Sequence, residues 1–332
     1  MIRLRKDVCF GMMCDNPGFE TIRAAVGLAQ RAPSVHNSQP WRWQLMNDHL
    51  HLYADTSRHL TATDPQQRAL ILSCGTVLHH LRVALRALGW SSEIERLPNP
   101  DVPEHLAVVH LAPHRSTAAD IDMAAAMMRR RSDRRRFEPG PATYLKAVAQ
   151  HATRFGAAVR TVAADDRPAL RELIRRAAEQ HADDVLYQIE LAEWSGRRDS
   201  REGVPARNIT TIRTEDALPG RAFNDPVLID PHPAPDAATW MMISTERDDR
   251  MAQLRAGESL SAFLLAATDL GLATCVQTEP LGVPDLREEI RFALCDGQYP
   301  QVMVRTGRTE HAAQLPETPR RRLDDVLAHS LV

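Results

Sequence analysis

Two long apolar stretches, residues 66–89 and 252–271, each run into a glycine and then into strand-like sequence. Glycine is a natural helix stop because it readily takes the left-handed conformation just past a helix end. An offset of 182 residues sets Gly75 on Gly257, Leu78 on Leu260, Ala84 on Ala266, Leu88 on Leu270 and Gly89 on Gly271. Any two buried helices share apolar positions. Here the order helix, glycine, strand, strand repeats as well, with residues 301–305 answering 106–110. That pattern points to an internally duplicated α+β chain.

The 332 residues suit one large domain or two fused ones, and 43% hydrophobic content is enough for a full core. A net charge of −2 argues against an electrostatic binder of nucleic acid or membrane. No stretch approaches the roughly 20 apolar residues of a membrane-spanning helix. Cys9, Cys14, Cys74, Cys275 and Cys295 are odd in number and lack paired metal spacing, so we expect reduced thiols, no metal site and a cytoplasmic protein. Residues 1–18 read as a loose N-terminal extension. Arg3, Arg5 and Lys6 precede a short apolar run without a signal cleavage site, and Met12 and Met13 offer alternative starts.

Apolar spacing predicts a helix over 19–31, ending before Pro33. Strands are expected at 41–45 and 49–53 around Asn47-Asp48, and at 106–111. Further helices are expected at 142–154 and 166–194. Residues 196–238 are rich in Pro, Gly, Asp and Arg without a clear period, which makes them either functional or disordered.

Two polar segments interrupt this scaffold. Arg129-Arg130-Arg131-Ser132-Asp133-Arg134-Arg135-Arg136-Phe137 follows an apolar helix. Arginine offers phosphate a fixed charge and a planar fork of donors. Taken alone, such a run is a solvated surface; Asp133 and the lack of interleaved aromatics argue against nucleic acid. The other segment is Ala32-Pro33-Ser34-Val35-His36-Asn37-Ser38-Gln39-Pro40-Trp41. Its short polar side chains, restrained by two prolines, suit either the polar edge of a ring ligand or a capped helix-to-strand turn.

The second of these segments resembles the Pro-Ser-x-x-Asn-x-Gln-Pro-Trp run of nitroreductases, and the arginine segment resembles their Arg-Arg-Ser-x-Arg-x-Phe run. Gly271-Leu272-Ala273-Thr274-Cys275 and the tail Thr318-Pro319-Arg320-Arg321-Arg322-Leu323-Asp324-Asp325-Val326 also resemble family segments. The likeness spans about residues 20–327. It is greatest to the Acg group, the dormancy-associated nitroreductase-like proteins of mycobacteria and related actinobacteria.

The resemblance implies a nitroreductase-like fold in which one chain mimics a classical homodimer, because the two segments stand in reversed order here. The halves would be 19–125 and 126–332, with a lid-like insertion at about 196–238. It implies one composite FMN site per chain, a dead second site, and a monomer or weak dimer. Implied cofactor-binding residues are Pro33, Ser34, His36, Asn37, Gln39, Arg130, Arg131, Ser132, Arg134, Thr274, Cys275, Arg305, Arg320 and, as second choice in the tail, Arg321. No residue stands out as catalytic. Phe137 lies five residues after Ser132, where the family has four, so the choice among Arg129, Arg130 and Arg131 for phosphate stays open. Two roles follow: storage or sequestration of FMN under the lid, or hydride transfer from NAD(P)H to a small acceptor.

Overall fold

The computed structural model describes residues 16–211, 218, 221–309 and 315–329. Most of the N-terminal extension, including Met12 and Met13, and part of the 196–238 segment lie outside the described residues.

The first half opens with α1 (Phe19–Ala29), whose buried Ile22, Ala25, Val26 and Ala29 follow the helical period. Strands β1 (Trp41–Met46) and β2 (His49–Ala54) form a hairpin with Asn47 and Asp48 both at positive φ, as a tight two-residue turn requires. Then come α2 (Arg68–Ala87), β3 (Trp90–Arg96), β4 (His105–Pro113) and α3 (Ala118–Arg129), which starts with a Thr117/Asp120 capping box.

The second half contains α4 (Ala142–Thr153), β5 (Ala158–Thr161), α5 (Arg167–Asp183) and α6 (Val185–Trp194). The single helix expected over 166–194 is broken at Asp184, whose carboxylate accepts from the Leu186 and Tyr187 amides and so starts a new helix. Short strands β6 (Ser195–Arg197) and β7 (Val204–Pro205) pair with each other, giving part of the 196–238 segment regular structure. Next are β8 (Thr239–Thr245), α7 (Arg250–Asp269), β9 (Ala273–Gln277), α8 (Pro284–Leu294), β10 (Tyr299–Gly307) and β11 (Leu327–His329).

The sheets run β11-β1-β2-β4-β3 and β5-β8-β10-β9. Leaving aside β11, which joins β1 in parallel, both sheets have one topology: helix, two strands, long helix, two strands. The second copy carries an insertion between β5 and β8 and another helix between β9 and β10. A boundary between 125 and 126 would cut α3, which is continuous to Arg129; the repeat places the division between α3 and α4.

The two long helices α2 and α7 cross where neither can carry a side chain. A Cβ on Gly75 would lie 2.1 Å from the Leu254 carbonyl oxygen, and one on Gly257 would lie 2.0 Å from that of Leu72. Leu72 and Leu254 are themselves 182 apart, as are His79 and Ser261, which touch at 2.7 Å. Contacts that map onto themselves under one offset are those of a two-fold axis.

Candidate functional site

A cavity opens beside this crossing, bounded by the 33–37 loop, α2, the arginine segment, β9, the insertion and the tail. The loop is held from below. Pro33 carbonyl accepts from Thr76 Oγ1 (2.6 Å), Val35 N donates to Ser73 Oγ (3.1 Å), and Ser34 Oγ accepts from Gln39 N (2.9 Å). His36, Asn37 and Gln39 all have positive φ, near 43°, 56° and 51°, a conformation that costs non-glycine residues about 1 kcal/mol or more each. Side chains fix this strained path. Asn37 Nδ2 donates to the Gly203 and Pro319 carbonyls, and Gln39 Nε2 to those of Asn37 and Arg201.

After α3 the arginine segment leaves the helix at Arg130 (ψ 128°) and bends at Arg135, and chain outside a helix can alternate its side chains between two faces. Arg130, Ser132, Arg134 and Arg136 accordingly line the cavity. The odd positions turn away: Arg131 donates to the Met128 and Arg130 carbonyls and to Glu317, while Arg135 forks onto Asp133. Arg129 pairs with Asp269 at the surface. Of the three arginines left open by the sequence, Arg130 alone lines the cavity. Its Nη2 donates to the Arg31 carbonyl (3.2 Å), and its Nε has no hydrogen bond among the described residues.

Pro33, Ser34, His36, Asn37, Cys275, Arg305 and Arg320 also line the cavity. Arg320 donates to the carbonyls of Gln30, Arg31 and Ala32, closing the end of α1. Arg305 is paired with Asp236 at 2.7 Å. Gln39, Arg131, Thr274 and Arg321 stand behind the wall. Gln39 Oε1 accepts from Arg321 N, and Arg321 donates back to the Gln39 carbonyl, so this pair braces loop and tail. Thr274 supports the segment through its carbonyl, which accepts from Asp133 N at 2.9 Å.

Several lining residues escaped the sequence reading. Ser73 and Thr76 are polar residues three apart on a buried stripe of α2 that continues into His80, a signal that was available. Arg136 followed from the alternation. Arg221 and Phe223 come from the insertion and had no local signal. Arg221 Nη1 donates to His36 Nε2, and Phe223 meets the His36 ring edge-on at 5.4 Å with the Arg134 guanidinium 4.8 Å from its centre.

The cavity is strongly cationic. Among the described residues, arginines 130, 134, 136, 221, 305 and 320 line it together with the carboxylates of Asp230 and Asp236, and Glu279 stands 3.8 Å from Arg221. Burial, then neighbouring guanidiniums, push Arg130 down to about 10 and Arg320 down to about 9. Both stay charged at neutral pH, and the depression reflects chiefly their removal from water and then the guanidiniums around them. Burial, then Arg221 and Arg134, hold His36 well below its usual value, so it is a neutral imidazole that accepts from Arg221. Burial raises the Cys275 thiol, which argues against a reactive thiolate. Buried polar atoms without hydrogen bonds among the described residues gather here: His36 Nδ1, Asn37 Oδ1, Arg130 Nε, Asn208 Oδ1 and Arg221 Nε. The empty space is about 1480 Å³, open mouth included. Among the described residues no metal-binding group of three or more His, Cys, Asp or Glu side chains occurs, and no helix is long and apolar enough to cross a membrane.

No family model matches the chain. A Mycobacterium tuberculosis protein provisionally named NAD(P)H nitroreductase Rv3131 is 43% identical over 318 residues, covering 94% of this chain and 92% of the relative. The M. tuberculosis protein provisionally named NAD(P)H nitroreductase acg is 36% identical over 316 residues, 92% of this chain and 95% of the relative. Among solved structures, a Bacteroides fragilis nitroreductase with bound FMN is 18% identical with a TM-score of 0.39, covering 60% of this chain and 94% of that one. The FMN-dependent nitroreductase NfnB of Mycobacterium smegmatis, in complex with NADPH, is 16% identical with a TM-score of 0.41, covering 63% and 99%. On the full-length sequence relatives, the chain belongs to the Acg-like group of the nitroreductase family.

Proposed function

We propose that this chain holds one FMN per molecule in the cationic cavity, that its two halves replace the two subunits of a classical nitroreductase dimer, and that the insertion at 196–238 covers the flavin. The observation that carries this reading is the convergence in one cavity of the 33–37 loop, the even-numbered arginine segment and Arg320, with polar atoms left unsatisfied. Those groups fit the cofactor's chemistry. Arg130, Ser132 and Arg320 would hold the phosphate, which brings about two negative charges. Ser34, Asn37 and neutral His36 would meet the polar edge of the ring, with Gln39, Arg131, Thr274 and Arg321 holding those residues in place. When bound, the flavin supplies reversible electron transfer. The protein's residues would orient the ring and exclude water, and the Arg134 guanidinium on the cavity wall would offset negative charge that develops on reduction.

Val204, Pro205, Asn208, Arg221 and Phe223 of the insertion line the cavity. A ligand beneath them would be covered, and this favours storage or sequestration with little turnover. The provisional names of the relatives favour the second reading, an NAD(P)H oxidoreductase passing electrons to a small acceptor. Anaerobic NADPH titration of the FMN-loaded protein decides between them. A flavin band that resists NADPH yet bleaches with dithionite supports sequestration, and rapid bleaching by stoichiometric NADPH supports the oxidoreductase. Fusion of the halves suits a monomer or weak dimer. Cys74, Cys275 and Cys295, all buried and outside disulfides, suit the cytoplasm.

A further inference from the structure

We propose that the outer face of the first sheet carries a copper(II) site, in which His51 Nδ1 and His105 Nε2 chelate the ion and water fills its remaining positions. The site lies outside the cavity and does not depend on the flavin. Along β2 the side chains alternate, so Leu50 and Leu52 are buried in the core while His49, His51 and Tyr53 share the opposite face. Regular pairing with β4 would set Leu106 across from Tyr53. The ladder instead shifts between Leu52 and Tyr53 and pairs Tyr53 with His105. An irregularity of this kind re-aims a side chain, and here it leaves Leu106 in the core and turns His105 outward.

His51 Nδ1 and His105 Nε2 come to 3.0 Å, and Tyr53 stacks on the His105 ring at 4.5 Å and 15°, which fixes its plane. Two nitrogens about 2.0 Å from one first-row ion stand about 2.9 Å apart at a right angle and about 3.3 Å apart at a tetrahedral one. The pair is already at that spacing. In the hydrogen bond one ring donates to the other. Chelation moves that proton to the donor ring's other nitrogen, which leaves a lone pair on both contact nitrogens and releases no net proton. Donor chemistry then selects the metal. Among the described residues no group of three His, Cys, Asp or Glu side chains is placed to hold an ion. A structural zinc takes four side-chain ligands, and calcium and magnesium take oxygen. Two imidazoles with open positions suit a tetragonal ion, and copper(II) binds such ligands most strongly of the first-row divalent metals. His49 and His110, edge-on at 4.5 Å, lie nearby, and the Glu95 carboxylate 3.8 Å from His110 Nε2 adds negative charge that favours a cation.

Copper(II) is titrated into the purified full chain and followed by calorimetry and electron paramagnetic resonance. One equivalent should bind with hyperfine structure from two imidazole nitrogens, and about tenfold or more tighter than zinc(II). His51→Val, which suits a strand, and His105→Phe, which keeps the stack on Tyr53, should each weaken that equivalent about tenfold or more. His151→Gln and His232→Gln, far from the pair in sequence and on other elements, should leave it unchanged. An adventitious ion only, bound equally well by the unaltered chain and by both pair variants, would overturn the proposal. So would a spectrum without two imidazole nitrogens. Flavin uptake is read separately from its own absorption band, so failure of the copper site and failure of the flavin reading are distinguishable.

Discussion

The two sides of the α2–α7 crossing were given the same backbone and opposite uses. On the cavity side, Ser73 and Thr76 offer neutral hydroxyls that hold the 33–35 loop and leave room above it. The residues one repeat later are Arg255 and Glu258. Glu258 is completely buried, forks onto Arg96 at 2.7 and 2.9 Å and lies 3.4 Å from Arg82. Arg82 faces the Phe155 ring, which meets His79 edge-on at 4.5 Å, and Gly156 packs against the Arg255 side chain. One side keeps its arginines short of counter-ions, and the other supplies the counter-ion from its own chain. The lesson is that one framework can leave an open cationic cavity on one side and close the other by internal charge pairing.

The sharpest way to break this comparison is Glu258→Gln. It would leave Arg82 and Arg96 without their buried carboxylate, and severing a buried pair costs about 3–5 kcal/mol. Urea unfolding should show that loss, while the FMN stoichiometry stays at one per chain. A second flavin taken up by the variant would mean that the paired side is a closed site and not a lost one.

The shared framework is tested at the glycines. A Cβ on either Gly75 or Gly257 meets a carbonyl oxygen near 2 Å, and overpacking of this severity costs about 3 kcal/mol. Gly75→Ala and Gly257→Ala should lower the unfolding midpoint by similar amounts, because the two contacts are images of each other. A large inequality would show that the crossing has diverged along with the sites.

The cavity side itself is sharpened by parity within the arginine segment. Arg130→Ala should weaken FMN binding by about 10–100-fold, the worth of a charge-assisted hydrogen bond of about 1.5–3 kcal/mol. Arg129→Ala should stay within about threefold, since its guanidinium is taken up by Asp269, and Arg131→Ala, which acts only through the backbone it braces, should cost less than Arg130→Ala. Flavin fluorescence on dilution reads all three variants, and equal losses would sink the alternation argument.

Much of this comparison was legible in sequence, for a physical reason. Helical period and glycine stops are local, so α2, α7 and their offset could be read, as could the two polar segments that interrupt the scaffold. The parity of 130–136 was also present in the sequence, but arginines on both faces concealed it until the backbone was seen to leave the helix at Arg130. Glu258 was a missed signal: a carboxylate inside an apolar helix needs a buried partner, although Arg96 is far away in the chain. Arg221 and Phe223 could not be read at all. Their positions depend on how an aperiodic insertion lands on His36, and no nearby residue encodes that.

Acid should act on the axis and the cavity together. His36, His79 and His80 are buried and kept neutral, His79 pushed down to about 3 by burial and then by Arg82 and His151. In the unfolded chain these rings titrate near 6.5. Above that value they are neutral in both states and add no pH dependence. As the pH falls below it, the unfolded chain takes up protons that the folded one refuses, so stability falls. At pH 5 the loss is about 2 kcal/mol for each ring that stays neutral. His79 and His80 share Ser261 Oγ at 2.7 Å on the axis, whereas His36 belongs to the cavity. His36→Gln should therefore remove about 2 kcal/mol of the histidine-linked loss at pH 5, read as melting temperature against pH. If the slope is unchanged, His36 takes up its proton over the same range in the folded and unfolded chains, and the burial-held neutral contact to Arg221 would have to be abandoned.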